Sequence, residues 1–348
     1  MCGIAGFWDS SQSLNTETMR QRVGRMTASL AHRGPDAEGV WLDAKAGIAL
    51  GHRRLSILDL STDGAQPMRS HCGRYIISFN GEIYNYRRLG AELASSGHVF
   101  CGTSDTEVML AAIVEWGVDG ALERFHGMFA FAIWDIRNRQ LHLARDRAGE
   151  KPLYYGLQGR TVVFGSELRA LRAHPDFGAE IDHGAVALFM RHGYIAAPHT
   201  IYRGIYKLPA GAIATWSGDN ANAQLRQYWR LRDAAERGMA NPFTGSSEEA
   251  TSQLDLMLRD AIGLRMAADV PLGAFLSGGI DSSTVVALMQ AQSTRRIQTF
   301  TIGFQDPAFN EAEHAGLVAN RLGTDHTEFY VTPADAMSVI PRLASIGP

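Results

Sequence analysis

The chain has 348 residues, 45% of them hydrophobic and 20% charged, and 33 basic against 36 acidic side chains leave a net charge of −3. That length accommodates two domains of ordinary size, and the charge balance excludes both a basic nucleic-acid footprint and an acidic tail. Three cysteines, Cys2, Cys72 and Cys101, cannot make a disulfide framework and show no paired metal-ligand spacing, so a reducing compartment, the cytoplasm, is expected. The N-terminus has no basic region and reaches an acid at Asp9, unlike a secretory signal. No apolar run approaches the ~18 residues of a membrane span.

From Met1 to about Gly204 the pattern is of short strands mixed with helices. Met19, Val23, Met26 and Leu30 recur at helical spacing, and Gly34-Pro35 stops that helix. Strands are expected at 47–50, 75–79, 129–134, 141–144 and 161–164. A second helix opens at Ser104, with Glu107 in the capping-box position, and turns Val108, Ala112, Ile113 and Trp116 inward. Pro209-Ala210-Gly211, Ser217-Gly218-Asp219-Asn220 and Asn241-Pro242 are turn and loop signals that place a boundary between Tyr206 and Ser247. Ser246 and Glu249 then cap a helix with an apolar stripe of Leu254, Met257, Leu258, Ala261 and Ile262.

Beyond it an apolar, buried strand (270–276), a helix (281–290), a strand (297–304), a helix (311–322) and a strand (326–331) alternate, which predicts a parallel sheet with crossover helices. The expected organisation is a first domain over 1–205, connecting turns over 206–245 and a second domain over 246–348.

Cys2 follows the initiator Met and precedes a glycine, a context in which the Met is often removed. The α-amine left behind, with an ordinary pKa of about 7.7–8.0, can serve as base for the cysteine's own thiol. Further along stand Arg54, which can fork onto a carboxylate, Asp105, which can take an ammonium, and Asn80-Gly81, an amide and a backbone N–H able to face an oxyanion. Each also has an ordinary structural explanation: Cys2 as a small residue opening a strand, Arg54 as an edge charge, Asp105 as a first-turn acid, and Asn-Gly as a hairpin turn.

Taken together, Cys-Gly-Ile-Ala-Gly at the terminus, His-Arg-Gly-Pro-Asp at 32–36, Arg-Leu-Ser-Ile at 54–57, Asn-Gly-Glu-Ile-Tyr-Asn at 80–85, Ser-Asp-Thr-Glu at 104–107 and Arg-Asp-Arg-Ala-Gly-Glu-Lys-Pro-Leu-Tyr-Tyr at 145–155 resemble the class II glutamine amidotransferase domain of glutamine-hydrolysing asparagine synthetases. The resemblance implies an α+β N-terminal-nucleophile hydrolase sandwich (αββα), two antiparallel sheets between helices. By the same match Cys2 is the nucleophile, and Arg54 and Asp105 hold the glutamine. Leu55, Ser56, Ile57 and Leu58 line its pocket with Glu82, and Asn80 and Gly81 form the oxyanion hole. The family more often has Phe and Ile where this chain has Ala148 and Glu150, which bears on local packing only.

A second block, Ser277-Gly278-Gly279-Ile280-Asp281-Ser282-Ser283, sits between a predicted strand and a predicted helix. Glycines, hydroxyls and a helix N-terminus make a phosphate cradle, and the lysine of the nucleotide-hydrolase loop is absent; a ligand-free glycine turn is the ordinary alternative. The block is similar to the pyrophosphate loop of ATP pyrophosphatases, which implies a partial α/β parallel-sheet ATP-pyrophosphatase domain. The resemblance assigns Ser277, Gly278, Gly279, Ser282 and Ser283 to pyrophosphate, Asp281 to Mg²⁺, and Leu276 with Ile302 to adenosine, with ATP, glutamine and aspartate as substrates and a homodimer as the family's habit. Family members continue past Pro348, so the synthetase domain is expected to be C-terminally truncated. Amidotransferases for sugar-phosphate acceptors share the first domain but lack this loop, which sets them aside. A related enzyme amidating another carboxylate, a chain with glutaminase activity alone, and a non-catalytic binding module are the alternatives.

Overall fold

In the computed structural model, residues 1–218 and 223–343 are described; Asp219, Asn220 and Pro348 lie outside them. The chain divides into two compact units, Met1–Ala240 and Asn241–Pro348. The first contains β1 (Gly3–Asp9), α1 (Thr16–Ala28), β2 (Ala37–Asp43), β3 (Ile48–Arg54), β4 (Met68–Arg69), β5 (Tyr75–Ile83), α2 (Tyr86–Ser95), α3 (Asp105–Arg124), β6 (Gly127–Asp135), β7 (Gln140–Arg145), β8 (Tyr154–Gln158), β9 (Thr161–Gly165), α4 (Leu168–Arg172), α5 (His183–His192), β10 (Ile205–Lys207), β11 (Ala212–Ser217), β12 (Gln224–Gln227) and α6 (Leu231–Ala240). The second contains α7 (Ser247–Arg265), β13 (Gly273–Phe275), α8 (Ile280–Gln292), β14 (Gln298–Phe304), α9 (Ala312–Leu322), β15 (Asp325–Val331) and α10 (Pro333–Val339).

Unit 1 is built on two antiparallel six-stranded sheets, ordered β10-β8-β9-β1-β3-β2 and β12-β11-β7-β6-β5-β4. Successive side chains of a strand face opposite ways, and here both ways are buried. Ile4 and Trp8 of β1 join Ala130, Ala132 and Trp134 of β6 in a core between the sheets. Ala5 and Phe7 meet Met19, Val23 and Met26 of α1 on one outer face, and Phe129, Phe131 and Ile133 meet Leu89, Met109 and Ile113 of α2 and α3 on the other. The layers therefore run helix, sheet, sheet, helix. Ala130, Ala132 and Trp134 of β6 face the neighbouring sheet, while Phe129, Phe131 and Ile133 face the helices.

The stretch 206–245, expected to be connecting turns, instead carries β11, β12 and α6, and its strands complete the second sheet of unit 1. Its turn signals are real but they join strands. The capping box expected at α3 is half formed: Ser104 Oγ accepts the N–H of Glu107 at 3.2 Å, while the Glu107 carboxylate accepts from the N–H groups of Cys101 and Gly102.

Unit 2 is a parallel three-stranded sheet, β13-β14-β15, with the capping box of Ser246 and Glu249 fully made at the start of α7. Two expectations fail here. The strand read as buried over 270–276 is the edge strand β13, with Phe275 80% exposed, and of the α7 stripe only Ile262 is buried while Leu254 and Met257 are exposed. Along β14 the helix side receives Thr299 and Thr301, and Phe300, Ile302 and Phe304 face outward. Apolarity alone marks both stretches for burial, but burial needs a covering layer, and the described residues of this unit supply one on a single face of the sheet.

Candidate active site

Cys2 stands at the mouth of β1, which is hydrogen-bonded to β9 on one side and β3 on the other, so the terminus is held in place by the sheet. Its Sγ lies 3.5 Å from the carbonyl oxygen and 3.4 Å from the backbone nitrogen of Leu55. Arg33 Nε donates to the Cys2 carbonyl at 2.9 Å and is itself paired with Glu167 at 2.9 Å. Burial pushes the Cys2 thiol up; the Leu55 backbone bond, the terminal amine and Arg54 pull it down, and Asp105 pushes it up again. A thiol kept protonated in this way needs a base beside it before it can attack.

Asn80 and Gly81 are not a hairpin turn. They lie inside β5, opposite Ala130 and Phe129 of β6, and a Cβ on Gly81 would fall 2.2 Å from the Met128 carbonyl oxygen and 2.7 Å from Phe129 Cα, so only glycine lets the strands close. Asn80 is 1% exposed, and its Nδ2 is buried with no hydrogen-bond partner. A buried orphan donor costs about 1–3 kcal/mol, which is tolerable where a ligand atom supplies the missing acceptor. Cys2, Asn80, Gly81, Glu82 and Asp105 line one pocket, of about 100 Å³, with Leu55, Ile57 and Leu58 on its wall.

Asp105 is the first residue of α3, placed there by the Ser104 cap. One of its oxygens accepts the N–H of Ile83 at 2.9 Å. Burial, opposed by that bond and reinforced by Glu82, raises its pKa to about 7. Arg54 ends β3 and is buried, but it is not part of the pocket wall: its guanidinium donates to the carbonyl oxygens of Ser61, at 2.8 Å, and Asp59. Ser56 is likewise off the wall, its N–H bonded to Asp36 at 2.8 Å. Sequence reasoning missed Gln66, Thr106, Met128 and Lys151, which also line the pocket. Gln66 accepts the Phe79 N–H at 2.7 Å and donates to Thr106 at 3.2 Å, a link between the second sheet and α3. Thr106 and Lys151 lay in quoted motifs, and Gln66 and Met128 did not.

In unit 2 the loop after β13 enters α8 through Gly278 and Gly279. Gly278 has φ +78°, and a Cβ there would fall 2.8 Å from the backbone nitrogen of Ala315. Ser277 and Ser282 hold the loop closed through their hydroxyls, 2.9 Å apart. Gly279 is the N-cap and offers no side chain to the first turn, and Ser283 Oγ is buried with no partner. Ser283 Oγ is a donor without an acceptor at a helix N-terminus, which suits a phosphate oxygen. Leu276 is buried beneath the loop, and Ile302, half-exposed on β14, lines a separate cavity of about 590 Å³ with Phe304 and Phe309. Among the described residues no three His, Cys, Asp or Glu side chains are grouped to hold a metal; Asp281 is a lone carboxylate, fitted to a cation shared with phosphate rather than to a protein-only cage.

The family model described as a glutamine amidotransferase domain matches residues 1–229, and the one described as asparagine synthase matches 253–347. "Asparagine synthetase [glutamine-hydrolyzing] 3" of Bacillus subtilis is 35% identical over 313 residues, covering 88% of this chain and 48% of that protein. "Asparagine synthetase [glutamine-hydrolyzing] 1" of the same organism is 32% identical, covering 99% and 52%, and "Amidase chry2" of Gibberella zeae is 34% identical, covering 83% and 43%. The chain thus spans about half the length of these relatives. Among solved structures, glutamine phosphoribosylpyrophosphate amidotransferase from B. subtilis aligns at a TM-score of 0.50 and 15% identity, over 98% of this chain and 93% of that one. That likeness is one of fold, and it accords with the αββα N-terminal-nucleophile sandwich of unit 1. With two family models in the expected order and relatives of about one-third identity along most of its length, the chain belongs to the glutamine-hydrolysing asparagine synthetase family.

Proposed function

We propose that this chain hydrolyses glutamine through Cys2 as an N-terminal nucleophile and that the ammonia amidates a carboxylate activated by ATP at the unit 2 loop, aspartate being the first candidate. The observation that supports this most directly is the shared pocket of the Cys2 thiol and the unpartnered, buried Asn80 amide. After removal of Met1 the α-amine of Cys2 takes the thiol proton, and Sγ attacks the side-chain amide carbon of glutamine. Negative charge then develops on the amide oxygen, where Asn80 Nδ2 and the Gly81 N–H serve as donors already desolvated and aimed. The protonated amine returns its proton to the departing nitrogen, ammonia leaves, and water hydrolyses the thioester to glutamate.

Asp105 takes the substrate ammonium, which restores the counter-charge that its buried carboxylate lacks. Arg54 serves the substrate carboxylate in this reading, which requires its guanidinium to turn from the Ser61 and Asp59 carbonyls toward the pocket. In unit 2, Ser277, Gly278, Gly279, Ser282 and Ser283 would take pyrophosphate oxygens, Asp281 would hold Mg²⁺, which would offset phosphate charge, and Leu276 with Ile302 would flank the adenosine. ATP supplies the leaving group that makes a carboxylate open to ammonia, giving aspartyl-AMP when the acceptor is aspartate.

The relative named an amidase matches this chain about as well as the synthetases do, which keeps a second reading in play, amidation of a different carboxylate. Pyrophosphate release from ATP with Mg²⁺ and ammonium, measured with aspartate and with a panel of other acids, separates them. Release that depends on aspartate supports asparagine synthesis; release that depends on another acid supports the second reading. Glutamate formation without any release leaves glutaminase activity alone.

A further inference from the structure

Lys151 is a buried cation beside Cys2 that no step above uses. It is 5% exposed, and it lines the glutamine pocket with Cys2 and Glu82. Its Nζ donates to the Sδ of Met1 at 3.4 Å, a weak acceptor, and among the described residues no carboxylate lies within salt-bridge range of it. A buried ammonium without an oxygen partner is costly, and in the reading proposed above even that thioether is cut away with Met1. The α-amine then belongs to Cys2, a half-buried residue that lines the same pocket as Lys151.

We propose that Lys151 is a positioning residue for the catalytic base: a buried cation lining the same pocket, it holds the Cys2 α-amine in its free, proton-accepting form near neutral pH. The charged groups that act on the Met1 amine, the Cys2 thiol and Lys151 are these. Arg33 and Asp36 follow α1, Arg54 ends β3, Glu82 lies on β5, Asp105 opens α3, and Asp146 and Glu150 neighbour Lys151. The Arg33 guanidinium is paired with Glu167 at 2.9 Å, and the Arg54 guanidinium is turned to the carbonyls of Asp59 and Ser61. Asp36 favours the protonated amine, and Glu82, which burial leaves harder to ionise, is the carboxylate that acts most on Lys151. The terminal amine of the untrimmed chain already shows the direction, lowered by burial, by Arg33 and by Lys151 against the pull of Cys2 and Asp36.

The test is the pH profile of kcat/KM for glutamine hydrolysis in the full chain with Met1 removed, comparing Lys151→Met, Lys151→Arg and Cys2→Ala. A unit charge a few ångströms away in a partly desolvated site moves a pKa by about 1 unit. Lys151→Met is therefore expected to shift the acid limb up by about 1 pH unit, with a loss of about 10-fold at pH 6 and less than about 2-fold at pH 9, and Lys151→Arg to keep the wild-type limb. A merely structural role would lower the rate equally at all pH values. An unshifted limb in Lys151→Met, or a limb shifted equally by Lys151→Arg, overturns the inference while the nucleophile reading stands. Hydrolysis that survives Cys2→Ala overturns the reading on which the inference rests, and the inference with it.

Discussion

Asp105 and Ile83 are joined by a single 2.9 Å hydrogen bond, carboxylate to backbone N–H, and that bond ties the first turn of α3 to the strand that carries Asn80 and Gly81. The group expected to hold the substrate ammonium and the groups expected to face the oxyanion are therefore set in register by one contact. A change at Asp105 is therefore expected to reach both binding and chemistry.

Replacement of Cys2 by Ala is expected to lower glutamate production from glutamine by at least about 10³-fold. The half-buried thiol makes only two weak backbone contacts, so the melting temperature of the variant should match the parent. Intact-mass spectrometry should show the active parent without Met1.

Asn80→Ala is expected to reduce kcat by about 10²–10³-fold with little change in KM. It should leave unit 1 as stable as before, since the side-chain donor it removes has no partner in the folded protein. A loss confined to KM would remove Asn80 from the oxyanion role.

The Asp105 carboxyl, held by burial at about 7 against an ordinary value near 3.9, makes opposite predictions for stability and for binding. Its folded-state pKa is raised, so the stability it contributes is complete below about pH 4 and is lost as the pH climbs through 7, by a few kcal/mol at most. Asp105→Asn should flatten that part of the stability curve. Glutamine binding should show the reverse trend in the parent, with KM rising as the pH falls below 7 and the anion is lost.

His52 is buried, bonded to the Phe79 carbonyl at 2.9 Å, and burial lowers its pKa to about 4. A depressed folded-state value means stability present above about pH 6.5 and lost as the pH falls through 4. Chemical denaturation of the parent between pH 7 and 4 should reveal this acid-side loss, and a neutral isostere such as His52→Gln should be less sensitive across that window.

Gly278→Ala should damage unit 2 alone. The added Cβ meets the Ala315 backbone nitrogen at 2.8 Å in a left-handed conformation, a combination worth about 1–3 kcal/mol. ATP-dependent pyrophosphate release should disappear while glutamine hydrolysis continues.

Much of unit 1 was readable because its strands and helices carry their own periodicity: Met19, Val23 and Met26 sit on one face of α1 as spaced, and 129–134 is strand throughout. The pocket was readable only in pieces. Cys2, Asn80 and Asp105 come from three distant segments, and nothing local says that they share a wall. Asn80-Gly81 looked like a turn because its dipeptide favours one, and the cross-strand partners Ala130 and Phe129 decide otherwise. Arg54 shows the limit from the other side: its type suits a carboxylate, yet its direction is set by two carbonyls of the 59–61 loop. In unit 2, Leu254, Met257 and Phe275 read as core because they are apolar, and they are exposed because the described residues supply no second layer over them.

Met1 is 55% exposed even though its sulfur rests on Lys151, so an exopeptidase can reach it in the finished fold. If the Cys2 amine is the base, the protein emerges from the ribosome inert and is switched on by subtraction. Specific activity then counts trimmed molecules rather than folded ones, and two preparations of equal purity will differ in rate by the ratio of their processed fractions.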